Sequence, residues 1–285
     1  MRMDSQPNIG LVLSGGFAKG AYQVGVFKAI EECFGDNKLK YISASSVGVL
    51  NAYGFLQGKA DLVEQAWRSL QFSSFSSFTK AYFRSSFISD FVGKISQDAD
   101  PCPDGFYGTF LNISKVKLNY VHLSRVDKRY VPDFLLASVT LPVFSRAVEI
   151  AGTKYVDGAL VDNIPVKPLT KLPLDYAVVV HFDNDNYRFE NETFDSKLIK
   201  INFLDEGIIK SSLSFTPAAI DGMIKAGYEA ATHAFEKVFS RGFSDTAYIH
   251  HKIKQLHDGR EKKPFRLTGD VAINNMNKVL KKVIK

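Results

Sequence analysis

The sequence predicts an α/β fold with a central, mostly parallel sheet and helices on both faces. Two consecutive strand–helix units support this prediction. The apolar run Ile9–Leu13 is followed by Ser-Gly-Gly and a helical pattern over residues 19–33, and a second strand over residues 39–44 leads into a helix over residues 47–56. Strands that alternate with helices pair in parallel, and ligands then bind beyond the carboxyl ends of the strands. Both strand-to-helix turns are therefore expected at one edge of the sheet.

The later part of the chain continues the pattern of short strands and helices. We predict strands over residues 116–123, 176–182 and 197–203, a hairpin from residues 148–150 and 154–156, and helices over residues 132–139 and 216–239. The chain has 285 residues, of which 45% are hydrophobic, enough for a substantial core. No internal repeat or long linker divides it.

Composition and charge narrow the class of protein. No apolar run approaches the roughly 20 residues that cross a bilayer, and the start MRMDSQPN is polar, so we expect a cytoplasmic protein. Cys33 and Cys102 lack the spacing of metal ligands, and we expect no metal or other cofactor. The net charge of +6 is concentrated in residues 249–285, which hold ten Lys or Arg against three Asp or Glu. No recognition motif accompanies these charges, so we expect no nucleic-acid partner.

The stretch YISASSVGVLNA places two serines where the second strand becomes a helix. A serine at such a turn is exposed as a nucleophile, and the positions two before and two after it must be small. Ser46 meets this condition with Ala44 and Gly48, whereas Ser45 would place the β-branched Val47 in the crowded position. The alternative is that both serines only cap the helix.

The stretch SGGFAKG forms the other strand-to-helix turn. Glycines there let backbone N–H groups approach a substrate oxygen, so Gly15 and Gly16 are candidates for an oxyanion hole. The spacing matches neither the dinucleotide-binding motif nor the P-loop. The other interpretation is a turn that serves packing alone.

The proton acceptor for a nucleophilic serine is less evident. His181, at the end of a predicted strand, is one candidate. Asp157 is another, because it follows a strand and precedes Gly158 in YVDGALVDNIPV, although Asp-Gly is also an ordinary turn signal. Asp162 is a lesser candidate.

The chain resembles the patatin-like phospholipase family. Three motifs carry the resemblance in the family's order: GLVLSGGFAKGAYQVGV, SASSVGVLNA and ASVTLPVFSRAVEIAGTKYVDGALVDNIPV. The likeness covers most of residues 9–239. It implies a three-layer patatin-like fold and hydrolysis of lipid acyl esters by a Ser-Asp dyad, without histidine. By resemblance, Ser46 is the nucleophile and Asp157 the dyad aspartate.

The resemblance also assigns the supporting residues of the glycine turn. Backbone amides of Gly15, Gly16 and Phe17 match the oxyanion hole, and Lys19 matches the basic residue after it. The sequence departs from the family pattern at Phe17 and Ala44, where the family usually has glycine. A bulky residue at position 17 implies either an altered substrate preference or a lipid-binding protein that has lost catalysis.

The resemblance divides the chain into an acyl hydrolase domain at residues 7–240 and a basic extension at residues 241–285, which we expect to dock on that domain. Phospholipid or another acyl-ester lipid is the expected substrate. Peripheral membrane contact is expected through the aromatic stretch from Phe72 to Phe87 or through the basic C-terminal helix. In the alternative interpretation, these rings belong to the core or a lid, and the helix packs on its own domain.

Overall fold

The fold is described from a computed structural model, which covers residues 7–16, 19–35, 39–70, 86–100, 104–141, 145–182, 186–203, 216–257 and 262–265. Its strands are β1 (Ile9–Leu13), β2 (Tyr41–Ser45), β3 (Phe106–Asn112), β4 (Lys117–His122), β5 (Val148–Ile150), β6 (Thr153–Asp157), β7 (Tyr176–His181), β8 (Asn186–Phe189), β9 (Leu198–Asn202) and β10 (Lys262–Phe265). Its α-helices are α1 (Gly20–Phe34), α2 (Val47–Leu56), α3 (Ala60–Ser69), α4 (Phe87–Ser96), α5 (Val131–Ser138), α6 (Glu192–Asp195), α7 (Pro217–Val238) and α8 (Thr246–His257).

The central sheet has the order β5-β6-β3-β2-β1-β7-β9 within the described residues, and β4 pairs with β3. Its middle is parallel, because β1 pairs in parallel with β2 and β7, as do β2 with β3 and β7 with β9. Strands β4, β5 and β6 add antiparallel pairs at one side. The prediction of an α/β fold with a mostly parallel central sheet is confirmed.

Strand β1 is buried on both faces, as expected for a central parallel strand. Ile9, Leu11 and Leu13 point into the main core, which is shared with α1, α2 and α7. Val12 points the other way, into a smaller cluster with Val179 of β7. The continuous apolar run in the sequence therefore reflects a helical layer on one face and loops and short helices on the other.

Two glycines allow α1 and α7 to cross at close range. A Cβ on Gly25 would overlap the backbone carbonyl of Ile224, and one on Gly227 would overlap that of Tyr22. Backbone touches backbone at this crossing, which fixes α1 against α7.

Strand β3 aligns the ends of two other strands. Strand β4 covers one edge of β3 from Tyr107 to Asn112, so β2 and β6 share the other edge. On that edge β2 ends with Ser45 opposite Thr109, and the antiparallel β6 ends with Asp157 opposite Phe110. The carboxyl ends of β2 and β6 consequently meet end to end.

The sequence patterns predict most elements to within two or three residues but do not predict β3, α3, α4, α6, α8, β8 or β10. Within the proposed extension, α8 buries Ile249 and Ile253 in the main core. None of the described helices combines the length and hydropathy needed to cross a membrane. The basic segment over residues 266–285 and residues 72–85 of the aromatic stretch lie outside the described residues.

Candidate active site

Ser46 occupies a strained turn between β2 and α2. Its φ is 55° and its ψ is −134°, a conformation that residues other than glycine seldom adopt. Its side chain makes no capping hydrogen bond to α2, although its carbonyl accepts from the N–H of Val49 at 2.9 Å. The hydroxyl is therefore available for another partner, and capping does not explain this serine.

The residues two before and two after Ser46 are in crowded positions. Ala44 is fully buried in β2. A Cβ on Gly48 would lie 3.0 Å from the Cβ of Leu13 and 3.1 Å from its carbonyl oxygen. The start of α2 thus rests against the end of β1, which explains the small residue at position 48.

Asp157 lies beside Ser46. Its carboxylate accepts from the backbone N–H of Ala159 at 2.8 Å. The side chain is 1% exposed. Burial raises the pKa of Asp157 to about 7, although the Ser46 hydroxyl and the Ala159 N–H both favour the charged form. A carboxyl group with this pKa can accept and return a proton near neutral pH.

Gly158 lets the loop after Asp157 pass directly over β3. A Cβ at this position would lie 2.5 Å from the carbonyl carbon of Thr109 and 2.6 Å from the amide nitrogen of Phe110. These are the two residues of β3 that face the ends of β2 and β6. Glycine is therefore required where the two strand ends meet.

Ser45 connects the end of β2 to the loop that carries Asp162. Its hydroxyl donates to the backbone carbonyl of Asp162 at 2.8 Å. The Asp162 carboxylate is buried and accepts from the Tyr120 hydroxyl at 2.6 Å and from the Ile164 N–H at 3.2 Å. Burial raises the pKa of Asp162 to about 6. Asp162 lies beside the turn that carries Ser46, and its carboxylate accepts from these two donors.

The glycine turn packs against Ser46. A Cβ on Gly15 would lie 2.6 Å from the Cβ of Ser46. The N–H of Gly15 donates to Oδ1 of Asn163 at 2.9 Å. Gly15 therefore gives the turn its close approach to Ser46, while its own N–H is already engaged by a side chain.

Phe182 lies on the other side of the same turn. A Cβ on Gly16 would lie 2.5 Å from the Phe182 ring, and the Lys19 ammonium lies 5.8 Å from the centre of that ring. Among the described residues, the N–H of Gly16 has no hydrogen-bond acceptor. Phe17 lies outside the described residues.

A buried network of polar side chains connects the glycine turn to the neighbouring helices. Gln23 donates to the Ser14 carbonyl at 2.7 Å and accepts from the Asn51 amide at 2.9 Å. Asn51 also donates to the Gly20 carbonyl at 3.0 Å and accepts from Trp67 Nε1 at 3.0 Å. Both ends of the turn are thereby fixed to α1, α2 and α3. The sequence patterns did not identify this network or Asn163.

His181 is buried at the end of β7, beside two aromatic rings. Its ring centre lies 5.8 Å from that of Tyr187 and 6.4 Å from that of Phe189. The Ser46 hydroxyl lies beside the carboxylate of Asp157.

An apolar pocket begins beside the turn that carries Ser46. Its wall includes Val47, the residue after Ser46, together with Leu50 of α2, Leu70, and Phe87 and Phe91 of α4. The pocket is small, about 20 Å³, and its lining also includes the polar side chain of Asn51.

Comparisons with known proteins relate the chain to a family of phospholipases. The family model described as patatin-like phospholipase matches residues 11–170. The lysophospholipase nte1 of Aspergillus terreus is 32% identical over 196 residues, which are 63% of this chain and 12% of that protein. The lysophospholipase NTE1 of Coccidioides immitis is 29% identical over 204 residues, again 63% of this chain and 12% of that protein. The chain thus spans about an eighth of the length of the curated relatives it matches.

A solved structure shares the fold. VipD from Legionella pneumophila superposes with a TM-score of 0.50 at 12% sequence identity, covering 97% of this chain and 75% of that one. The family match covers more than half of the chain and includes both strand-to-helix turns and the loop that carries Asp157. The chain belongs to the patatin-like phospholipase family.

Proposed function

We propose that the protein is a lipid acyl hydrolase of the phospholipase A or lysophospholipase type, with Ser46 as nucleophile and Asp157 as general base. One observation carries the proposal. A serine in a strained strand-to-helix turn lies beside a buried carboxylate whose pKa is raised to about 7. The relatives named lysophospholipase support a lipid ester as the substrate.

In the first half-reaction, the Ser46 oxygen attacks the ester carbonyl and Asp157 takes the hydroxyl proton. The C–O bond to the alcohol then breaks, Asp157 returns the proton to the leaving oxygen, and the acyl group remains on Ser46. The raised pKa of Asp157 suits both proton transfers, since a much more acidic carboxyl group would be a weak base.

Backbone N–H groups stabilise the oxyanion of the tetrahedral intermediate. The N–H of Gly16 and that of Val47, at the free amino end of α2, are the donors we assign among the described residues. Phe17 remains part of the proposal as a further donor. We do not assign Gly15 as a donor, because its N–H donates to Asn163. Its role is to let the glycine turn approach Ser46 closely. Each donor lowers the barrier by about 3 kcal/mol.

In the second half-reaction, water attacks the acyl-enzyme while Asp157 takes one of its protons. Collapse of this intermediate releases the fatty acid and returns the proton to Ser46. The apolar side chains beside Val47 would contact the hydrocarbon of the ester next to the reacting carbonyl.

The test is to incubate the protein with mixed phospholipids and lysophospholipids and to measure released fatty acids by mass spectrometry. Wild type should release fatty acid and react covalently with a fluorophosphonate probe, whereas Ser46→Ala should do neither. Asp157→Asn should lose at least about 1,000-fold in rate. Ser114→Ala, in an exposed turn, is the matched control. A folded wild type that neither reacts with the probe nor releases fatty acid would overturn the proposal and favour a lipid-binding role.

A further inference from the structure

Asn163 forms two hydrogen bonds with a single residue of the glycine turn. Its Oδ1 accepts from the N–H of Gly15 at 2.9 Å, and its Nδ2 donates to the Gly15 carbonyl at 3.2 Å. A side chain that satisfies both polar groups of one residue does what a neighbouring strand does in a sheet. Gly15 lies beyond the part of β1 that pairs with β2. The Asn163 side chain therefore forms the two hydrogen bonds that a neighbouring strand would otherwise form.

The contact also fixes the distance between the turn and Ser46. A Cβ on Gly15 would lie 2.7 Å from Asn163 Oδ1 and 2.6 Å from Ser46 Cβ, so both side chains lie on the same side of Gly15. Any movement of Gly15 away from Ser46 would stretch both hydrogen bonds to Asn163. The neighbouring Gly16 moves with it.

The backbone that carries Asn163 is itself held in place. The preceding residue, Asp162, donates its N–H to the Gly158 carbonyl at 3.0 Å and accepts from Ser45 Oγ at its own carbonyl. Its carboxylate binds Tyr120 and the N–H of Ile164, which is 1% exposed. Asn163 therefore projects from a segment anchored on both sides and close to Asp157.

We propose that Asn163 is a positioning residue that joins the aspartate-bearing loop to the oxyanion turn, holding the Gly16 N–H at the place where negative charge develops beside Ser46. This inference rests on the proposed function. Asn163 touches no reacting atom, and its effect passes through Gly15. The same contact explains why the Gly15 N–H is not an oxyanion donor, although the resemblance assigns it to that group.

Two variants separate positioning from packing. Asn163→Ala removes both hydrogen bonds, and we expect kcat for a p-nitrophenyl ester to fall by about 10- to 100-fold with KM within about threefold of wild type. Asn163→Asp keeps the shape but loses the donor to the Gly15 carbonyl and places a carboxylate near the developing oxyanion. We expect its kcat to fall at least as far.

A residue that only filled space would give the opposite order, because the isosteric Asp would be nearly neutral and Ala the more harmful change. Asn119→Ala, at a partly buried position on β4, is the matched control and should retain activity. An active wild type with both Asn163 variants within threefold of its kcat would overturn the inference and leave the proposed function standing.

Hydrogen–deuterium exchange tests the same contact without turnover. The peptide that carries Gly15 should exchange faster in both Asn163 variants, whereas the peptide that carries α2 should be unchanged. This measurement decides the structural part of the inference even if wild type proves inactive, which would be a failure of the proposed function alone. Unchanged exchange at Gly15 would overturn the inference.

Discussion

Gly15 and Ser46 are in such close contact that a single methyl group on the glycine would lie 2.6 Å from the Cβ of the serine. This contact joins the two strand-to-helix turns of the site. We therefore expect Gly15→Ala to push the turns apart and to lower kcat by at least about 100-fold. The overpacked site should also lose about 1–3 kcal/mol of unfolding free energy. Ester hydrolysis and urea unfolding measure the two effects.

Gly93→Ala is the control for this substitution. A Cβ on Gly93, in α4, would meet nothing within 4 Å. Alanine in a helix interior is favoured over glycine by about 1 kcal/mol, so this variant should be slightly more stable and fully active. Wild-type activity in Gly15→Ala would show that the turns adapt and that their contact is unimportant.

The pH dependence of hydrolysis should follow the ionisation of Asp157. Only the charged carboxylate can accept the Ser46 proton, and burial raises its pKa to about 7. We expect kcat/KM to rise about tenfold per pH unit below pH 6 and to level off above pH 8. A rate that stays constant between pH 5 and pH 8 would exclude a base with this pKa.

The same carboxyl group should make the protein less stable as the pH rises. With a folded pKa of about 7 against an ordinary value of 3.8, the folded chain keeps a proton that the unfolded chain releases between about pH 4 and pH 7. Stability is therefore lost as the pH rises through this range, by up to about 4 kcal/mol.

Asp157→Asn, which is neutral at every pH, should accordingly be more stable than wild type at pH 8 and closer to wild type at pH 5. Urea unfolding at the two pH values measures the difference. Asp98→Asn, at an exposed position, should change the unfolding free energy little at either pH. An equal effect of Asp157→Asn at both pH values would contradict the raised pKa.

His181 provides the test of a triad mechanism. Its ring is buried beside Tyr187 and Phe189, so we expect His181→Gln to lower the unfolding free energy by about 1–3 kcal/mol. The rate per folded molecule should stay within a few-fold of wild type. The pH at which the rate levels off should stay within a few tenths of a pH unit of wild type. Loss of turnover in folded His181→Gln, with Asp157→Asn still active, would reverse the assignment of the base.

The local features of the site were predictable from sequence because each depends on neighbouring residues. Ser46 is identified by Ala44 and Gly48, since crowding at a strand-to-helix turn leaves a pattern of small residues. The hairpin that ends at Asp157 is likewise visible in its own residues. Its role came from the family resemblance, because an Asp-Gly pair is also an ordinary turn.

The relationship between the two residues was not predictable from pattern alone. Ser46 and Asp157 meet because β2 and the antiparallel β6 share one edge of β3, and no periodicity in the sequence specifies that pairing. Asn163 was missed for a similar reason. Its partner, Gly15, lies 148 residues away, and a short polar side chain before Ile-Pro reads as an ordinary loop residue.

The crossing of α1 and α7 should control stability without taking part in catalysis. A Cβ on Gly227 would overlap the Tyr22 carbonyl, and a backbone atom cannot move aside as a side chain can. We expect Gly227→Ala to separate the helices and to lower the unfolding free energy by about 3 kcal/mol or more. Gly222→Ala lies on the same helix, where a Cβ meets nothing within 4 Å, and should be neutral or stabilising by about 1 kcal/mol.

Activity separates this effect from a change in the site. The folded fraction of Gly227→Ala should keep its reaction rate with a fluorophosphonate probe at low temperature, because the atoms that Gly227 contacts belong to Tyr22, which lies outside the glycine turn. Melting temperatures of the two glycine variants, measured side by side, give the stability difference. If Gly227→Ala had the same melting temperature as Gly222→Ala, the close approach of the two backbones would not be what holds α1 in place.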